Sequence, residues 1–134
     1  MRTLIIALCL SALVAGCGDD DGGSGGRSTG EAGVVEDTVL AWMFEGGCQR
    51  MTDQFLEDQV LGIGDTRAEN CELFEGTFQE PQFDEDDVKF SDVEVNDSEA
   101  SLVVSDDFTN VETTYELVKE SGRWRINSVD INVT

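Results

Sequence analysis

Residues 88–133, VKFSDVEVNDSEASLVVSDDFTNVETTYELVKESGRWRINSVDINV, decide the fold. Apolar side chains recur here at every second position, the period of strands with one buried face. Val88 and Phe90, then Val93 and Val95, make a first strand whose phase slips at Ser91-Asp92, which reads as a bulge. Asn96-Asp97-Ser98 turns the chain into a second strand with Ala100, Leu102 and Val104 in phase. After Asp106-Asp107, a third strand alternates Val111, Thr113, Tyr115 and Leu117. Glu120-Ser121-Gly122-Arg123 turns again, and Trp124 and Ile126, then Val129, Ile131 and Val133, complete a fourth with a second slip at Asn127-Ser128. Short turns between successive strands predict an antiparallel meander, and two slips predict a strongly bent sheet.

Working outward toward the N-terminus, the period changes at Pro81 from two to helical. Val35, Val39, Trp42 and Met43 fall three to four residues apart and predict a helix from Val34 until Gly46-Gly47 stops it. A second short helix carries Cys48, Met51 and Phe55 on one face, and Val60 to Gly64 forms an apolar connection or a short strand. Thr66-Arg67-Ala68-Glu69 has the form of a capping box opening a third helix, with Ala68, Cys71 and Phe74 or Phe78 inward. Helices followed by a bent antiparallel sheet make this an α+β domain.

Further upstream, Met1-Arg2 leads into an apolar run from Thr3 to Val14 that ends in Leu13-Val14-Ala15-Gly16-Cys17. The run is shorter than the roughly 18–20 residues a spanning helix needs. This end resembles the lipobox of a bacterial lipoprotein signal peptide. The resemblance implies cleavage before Cys17, lipid on its thiol, and residence on the outer side of the cytoplasmic membrane or in the outer envelope. Residues 18–33, GDDDGGSGGRSTGEAG, have no periodicity and read as a flexible tether. The chain therefore divides into a signal peptide (1–16), a lipidated cysteine with its linker (17–33) and one domain (34–134). With Cys9 in the signal and Cys17 lipidated, Cys48 and Cys71 remain as a pair for a disulfide in an oxidising compartment.

The 29 acidic residues against 8 basic ones give a net charge of −21, which repels nucleic acid and anionic headgroups and excludes both as ligands. Apolar residues make up 40% of the chain, too many for a disordered segment. The acidity reads first as solvation. The run Asp84-Glu85-Asp86-Asp87 could attract a hard cation weakly, but neighbouring carboxylates on an extended chain point apart, so a solvated loop is the better reading and no metal site or cofactor is expected.

The order of elements resembles the nuclear transport factor 2-like superfamily, which includes ketosteroid isomerase and small bacterial lipoproteins. The likeness rests on the Val35 to Phe44 helix, the placement of Cys48 and Cys71, and the strand start Gly122-Arg123-Trp124-Arg125-Ile126, and it spans about residues 34 to 134. It implies a sheet curled into a cone whose mouth can hold a small ligand; a cystatin-like arrangement is the rival α+β shape. Enzymes of the superfamily carry an acid or base, often Asp or His, inside the cone. The chain has no histidine, and Glu94, Glu112, Glu116 and Asp130 fall on the opposite phase of the strands. Asp92, at the first slip, is the acid that could turn inward, and Tyr115 is the inward hydroxyl. Trp42, Asp92 and Tyr115 are thus the candidate pocket residues, although a core role is the plainer reading of Trp42 and Tyr115, and an exposed edge that of Asp92.

These readings converge on a membrane-anchored extracytoplasmic module that binds a small apolar ligand or an envelope protein without chemistry of its own. An isomerase- or dehydratase-like enzyme would instead place a carboxylate and a second polar group in an open cavity. A structural envelope protein would form a homodimer through its outer sheet face.

Overall fold

The computed structural model describes residues 27–132; the signal segment 1–16, Cys17 and most of the tether lie outside them. Three helices, α1 (Gly30–Glu45), α2 (Asp53–Gln59) and α3 (Arg67–Thr77), precede four strands, β1 (Val88–Val95), β2 (Glu99–Asp106), β3 (Glu112–Glu120) and β4 (Arg123–Asn132). The strands form one antiparallel sheet in the order β1-β2-β3-β4, the predicted meander. Both slips are bulges. Asp92 and Val93 together face Leu102, and Asn127 stands unopposed between the Glu116–Ser128 and Leu117–Ile126 pairs. Around them the register keeps Ala100, Leu102, Val104, Tyr115, Leu117, Trp124 and Ile126 on one buried face.

α1 begins four residues earlier than its apolar spacing predicts, inside the stretch read as tether. The contacts that fix its start are tertiary. The Glu31 carboxylate accepts a hydrogen bond from the Trp124 indole at 2.7 Å and another from Lys119 at 3.3 Å, 93 and 88 residues away in sequence. Those two donors, the indole first, hold the Glu31 carboxyl below its ordinary value. Ser28 folds back to donate its backbone N–H and its hydroxyl to the buried Glu36. Gly33 is required by this fold-back: a Cβ there would lie 2.3 Å from the Ser28 carbonyl oxygen. At the other end Gly46, at φ 71°, stops the helix as predicted and donates its N–H to the Trp42 carbonyl.

The second helical segment is broken in two. Cys48–Arg50 makes a single 3₁₀ turn, Met51 becomes extended, and Thr52 caps α2 by accepting from the Phe55 N–H at 3.2 Å. The break occurs because Met51 pairs with Ile126 in a parallel bridge and the Thr52 N–H donates to the Ile126 carbonyl. The Thr52 hydroxyl then reaches the bulged Asn127 at 3.0 Å. The Val60–Gly64 stretch is a turn rather than a strand, with Leu61 and Ile63 exposed. Thr66 caps α3 by accepting from Glu69, but the Glu69 carboxylate accepts from Asp65 rather than from Thr66, so the capping box is displaced by one residue. Ala68 faces solvent, and Asn70 fills the buried position instead, accepting from the Gly64 N–H.

Cys48 and Cys71 form the expected disulfide, with Cα atoms 5.4 Å apart. Arg67 grips the same turn, donating to the carbonyls of Cys48 and Met51 and pairing with Asp53. The core lies between the helices and the buried sheet face, around Val35, Val39, Met51, Leu56, Leu102, Leu117 and Ile126. Each such side chain contributes about 1.5–3 kcal/mol by leaving water. α1 comes closest to the two edge strands, β1 and β4, rather than to the central pair.

Candidate functional site

Where the last turns of α1 meet α2, α3 and β3, four aromatic rings collect. Trp42 stacks on Phe74 at 6.2 Å, leans on Phe55 at 5.6 Å and receives the edge of Tyr115 at 6.1 Å. Offset and edge-on arrangements of this kind contribute about 0.5–1.5 kcal/mol each beyond burial. The cluster assembles because Trp42 follows Val35 and Val39 on the α1 face, while Tyr115 is in phase with Leu117 on β3. Trp42 and Tyr115 therefore meet.

Their roles differ. Trp42 is half-buried and forms one wall of an open cleft of about 360 Å³, completed by Met43, Gln59, Phe74, Thr77, Phe78, Gln79 and Pro81. That volume lies within the range of small-molecule sites. Tyr115 sits behind the indole at 5% exposure, outside the cleft lining. Burial pushes its hydroxyl up to about 12, so it keeps its proton under any physiological condition.

Asp92 does not join them. It occupies the β1 bulge at φ 50°, a left-handed position that Asp tolerates better than most residues, and its side chain stays in water. Turning inward would bury a charge with no cation to meet it, and the bulge supplies no such partner. Glu94, Glu112, Glu116 and Asp130 are all exposed, on the phase the sequence assigned to them.

The lining of the Trp42 cleft is entirely uncharged, in a chain with 29 acidic residues. Its polar groups are the amides of Gln59 and Gln79, the Trp42 indole N–H, which is buried without a hydrogen-bond partner, and the Thr77 hydroxyl, which already donates to the Leu73 and Phe74 carbonyls. These groups can orient a ligand through hydrogen bonds, but none of them exchanges a proton near neutral pH. Gln59, Thr77 and Gln79 were not singled out by sequence reasoning, since they lie at helix ends and in the α3–β1 connection, where no periodicity marks them; Phe78 was read only as a core residue and Pro81 only as the point where the period changes.

Asp84-Glu85-Asp86-Asp87 folds into a 3₁₀ turn in which the Asp87 carboxylate accepts from the Asp84 N–H. Among the described residues no group of three or more acidic or other metal-binding side chains is arranged to hold an ion. Nor is any described helix long and apolar enough to cross a membrane. No protein family, characterised protein or solved structure matches the chain in comparisons by family, sequence and structure.

Proposed function

We propose that this chain is a lipid-anchored extracytoplasmic module that holds a small neutral ligand in the Trp42 cleft without transforming it. The observation that carries the reading is the uncharged aromatic lining of that cleft in a chain of net charge −21. A cleft that holds none of the 29 acidic residues suits a ligand with an apolar face and a few hydrogen-bonding groups. The nuclear transport factor 2-like cone belongs to the same proposal. It is supported by the two bulges, which bend strands, and by the approach of α1 to both edges of the sheet. The anchor rests on the lipobox ending at Cys17. A lipid with two or more chains gives membrane residence that a single chain does not.

Two measurements test the parts separately. When the full chain is expressed in a bacterium with labelled palmitate, label is expected in the wild-type protein and absent from Cys17→Ala. Unlabelled wild-type protein overturns the anchor. For the cleft, residues 18–134, exported behind an ordinary secretory signal, are titrated with Nile red, a neutral apolar dye. Saturable one-to-one enhancement is expected, weakened about tenfold or more by Gln79→Glu, which places a charge in the lining. Enhancement that Gln79→Glu leaves unchanged overturns the site.

A further inference from the structure

In a chain so rich in acid, every basic side chain has carboxylates to choose from. Of the seven within the described residues, Arg27, Arg50, Arg67, Lys89 and Lys119 are each ion-paired. Arg123 and Arg125 have no ion pair among the described residues, and they stand two apart on β4, on the phase opposite the buried Trp124 and Ile126. The Nε of Arg125 is buried without a hydrogen-bond partner. The Met51–Ile126 bridge brings Arg50, one residue back, beside this part of β4. Arg50 and Arg123 therefore come together beside the start of β4.

A cleft of about 440 Å³ opens there, separate from the Trp42 cleft. Arg50, Arg123, Gln49 and Thr38 line it, with the Trp124 ring and Glu31 also in its wall. The Glu31 charge is already engaged by the Trp124 indole and by Lys119. Arg50 is held in place by the Gly46 carbonyl at 2.8 Å and by Glu45 at 3.1 Å, which use two of its five N–H groups. We infer that this cleft is a second binding site, for a small ligand bearing an oxyanion, either carboxylate or phosphate. The planar fork of arginine matches both groups with paired hydrogen bonds, and Gln49 and Thr38 offer contacts to neighbouring hydroxyls. The long-range repulsion of the acidic surface is largely screened beyond about 8 Å at physiological ionic strength, whereas contact pairs with Arg50 and Arg123 are not.

The two tryptophans make the test direct. The ¹⁵N-labelled full chain in a non-ionic detergent shows two indole N–H signals, assigned with the Trp42→Phe variant. It is titrated with sodium phosphate or sodium glucuronate against sodium chloride of equal ionic strength. The Trp124 signal is expected to move saturably with phosphate, with glucuronate, or with both, while the Trp42 signal stays in place. Whichever salt acts identifies the oxyanion as phosphate or carboxylate. Arg123→Gln, an exposed position that does not threaten the fold, is expected to weaken the response about tenfold or more, and Arg50→Gln likewise. A Trp124 signal that ignores both salts, that follows chloride equally, or that responds undiminished in Arg123→Gln overturns the inference.

Discussion

Replacing Cys48 and Cys71 together by alanine opens a crosslink that spans 23 residues of sequence. By the chain-entropy relation, closing a loop of that length removes about 11 cal/mol/K from the unfolded ensemble, or about 3.4 kcal/mol at 25 °C. The folded turn has a second support. Arg67 still bridges the Cys48 and Met51 carbonyls and Asp53, so the native geometry persists and the loss is carried by the unfolded state. Domains of this size hold about 5–15 kcal/mol in total, which makes the bond a quarter to two thirds of what keeps the chain folded. Urea unfolding followed by tryptophan fluorescence should therefore show the midpoint fall with an unfolding free energy lower by about 3 kcal/mol. The melting temperature should drop by roughly 14–27 °C. A double variant within about 1 kcal/mol of the wild type refutes the reasoning, because it would mean that Arg67 and the flanking core already confine the loop in the unfolded chain.

Other outcomes follow from single contacts. Tyr115, the one tyrosine in the chain, should titrate by ultraviolet absorption near pH 12 in the folded protein and near 10 after unfolding, so its contribution to stability is complete below pH 10 and is lost as pH rises toward 12; a native midpoint near 10 contradicts its burial. Glu31 is shifted the other way. The stability difference between wild type and Glu31→Gln should be constant above the ordinary carboxyl value of 4.5 and shrink as pH falls below it, and a difference that ignores acid pH argues against the Trp124 and Lys119 contacts. Thr52→Ala removes both the α2 cap and the bond to Asn127, and should cost about 1–2 kcal/mol in urea unfolding; a cost near zero would separate α2 from the sheet edge.

Much of the sheet was legible because its signals are local. Alternation placed Leu102, Val104, Tyr115 and Leu117 on the buried face, and each loss of phase marked a bulge, since an extra residue flips every side chain that follows it. The Gly46 stop and the Cys48–Cys71 pair were equally plain, one from backbone chemistry and the other from elimination. The start of α1 was not, because Ser28-Thr29-Gly30-Glu31 carries no apolar rhythm, and Glu31 is held by partners some ninety residues away. The break before α2 is of the same kind: Met51 and Phe55 share a helical spacing, and only the bridge to Ile126 pulls Met51 out of it. At the candidate site, Trp42 and Tyr115 could each be placed on an inward phase, though not against one another, whereas Asp92 could not be oriented from sequence, since a bulge residue points where its φ angle sends it. The arginine cleft was hidden altogether, because Arg50 and Arg123 are neighbours only through that same bridge.

The bridge also bears on how copies of this chain behave in a crowd. An open sheet ends in two rows of unsatisfied backbone groups that invite strand addition from another molecule. Here Met51 and Thr52 cover part of the β4 border, taking up the Ile126 carbonyl, while the opposite border is interrupted by the left-handed Asp92. Neither border offers an uninterrupted template. Such blunted borders guard against self-templated fibre growth whenever copies of the chain meet.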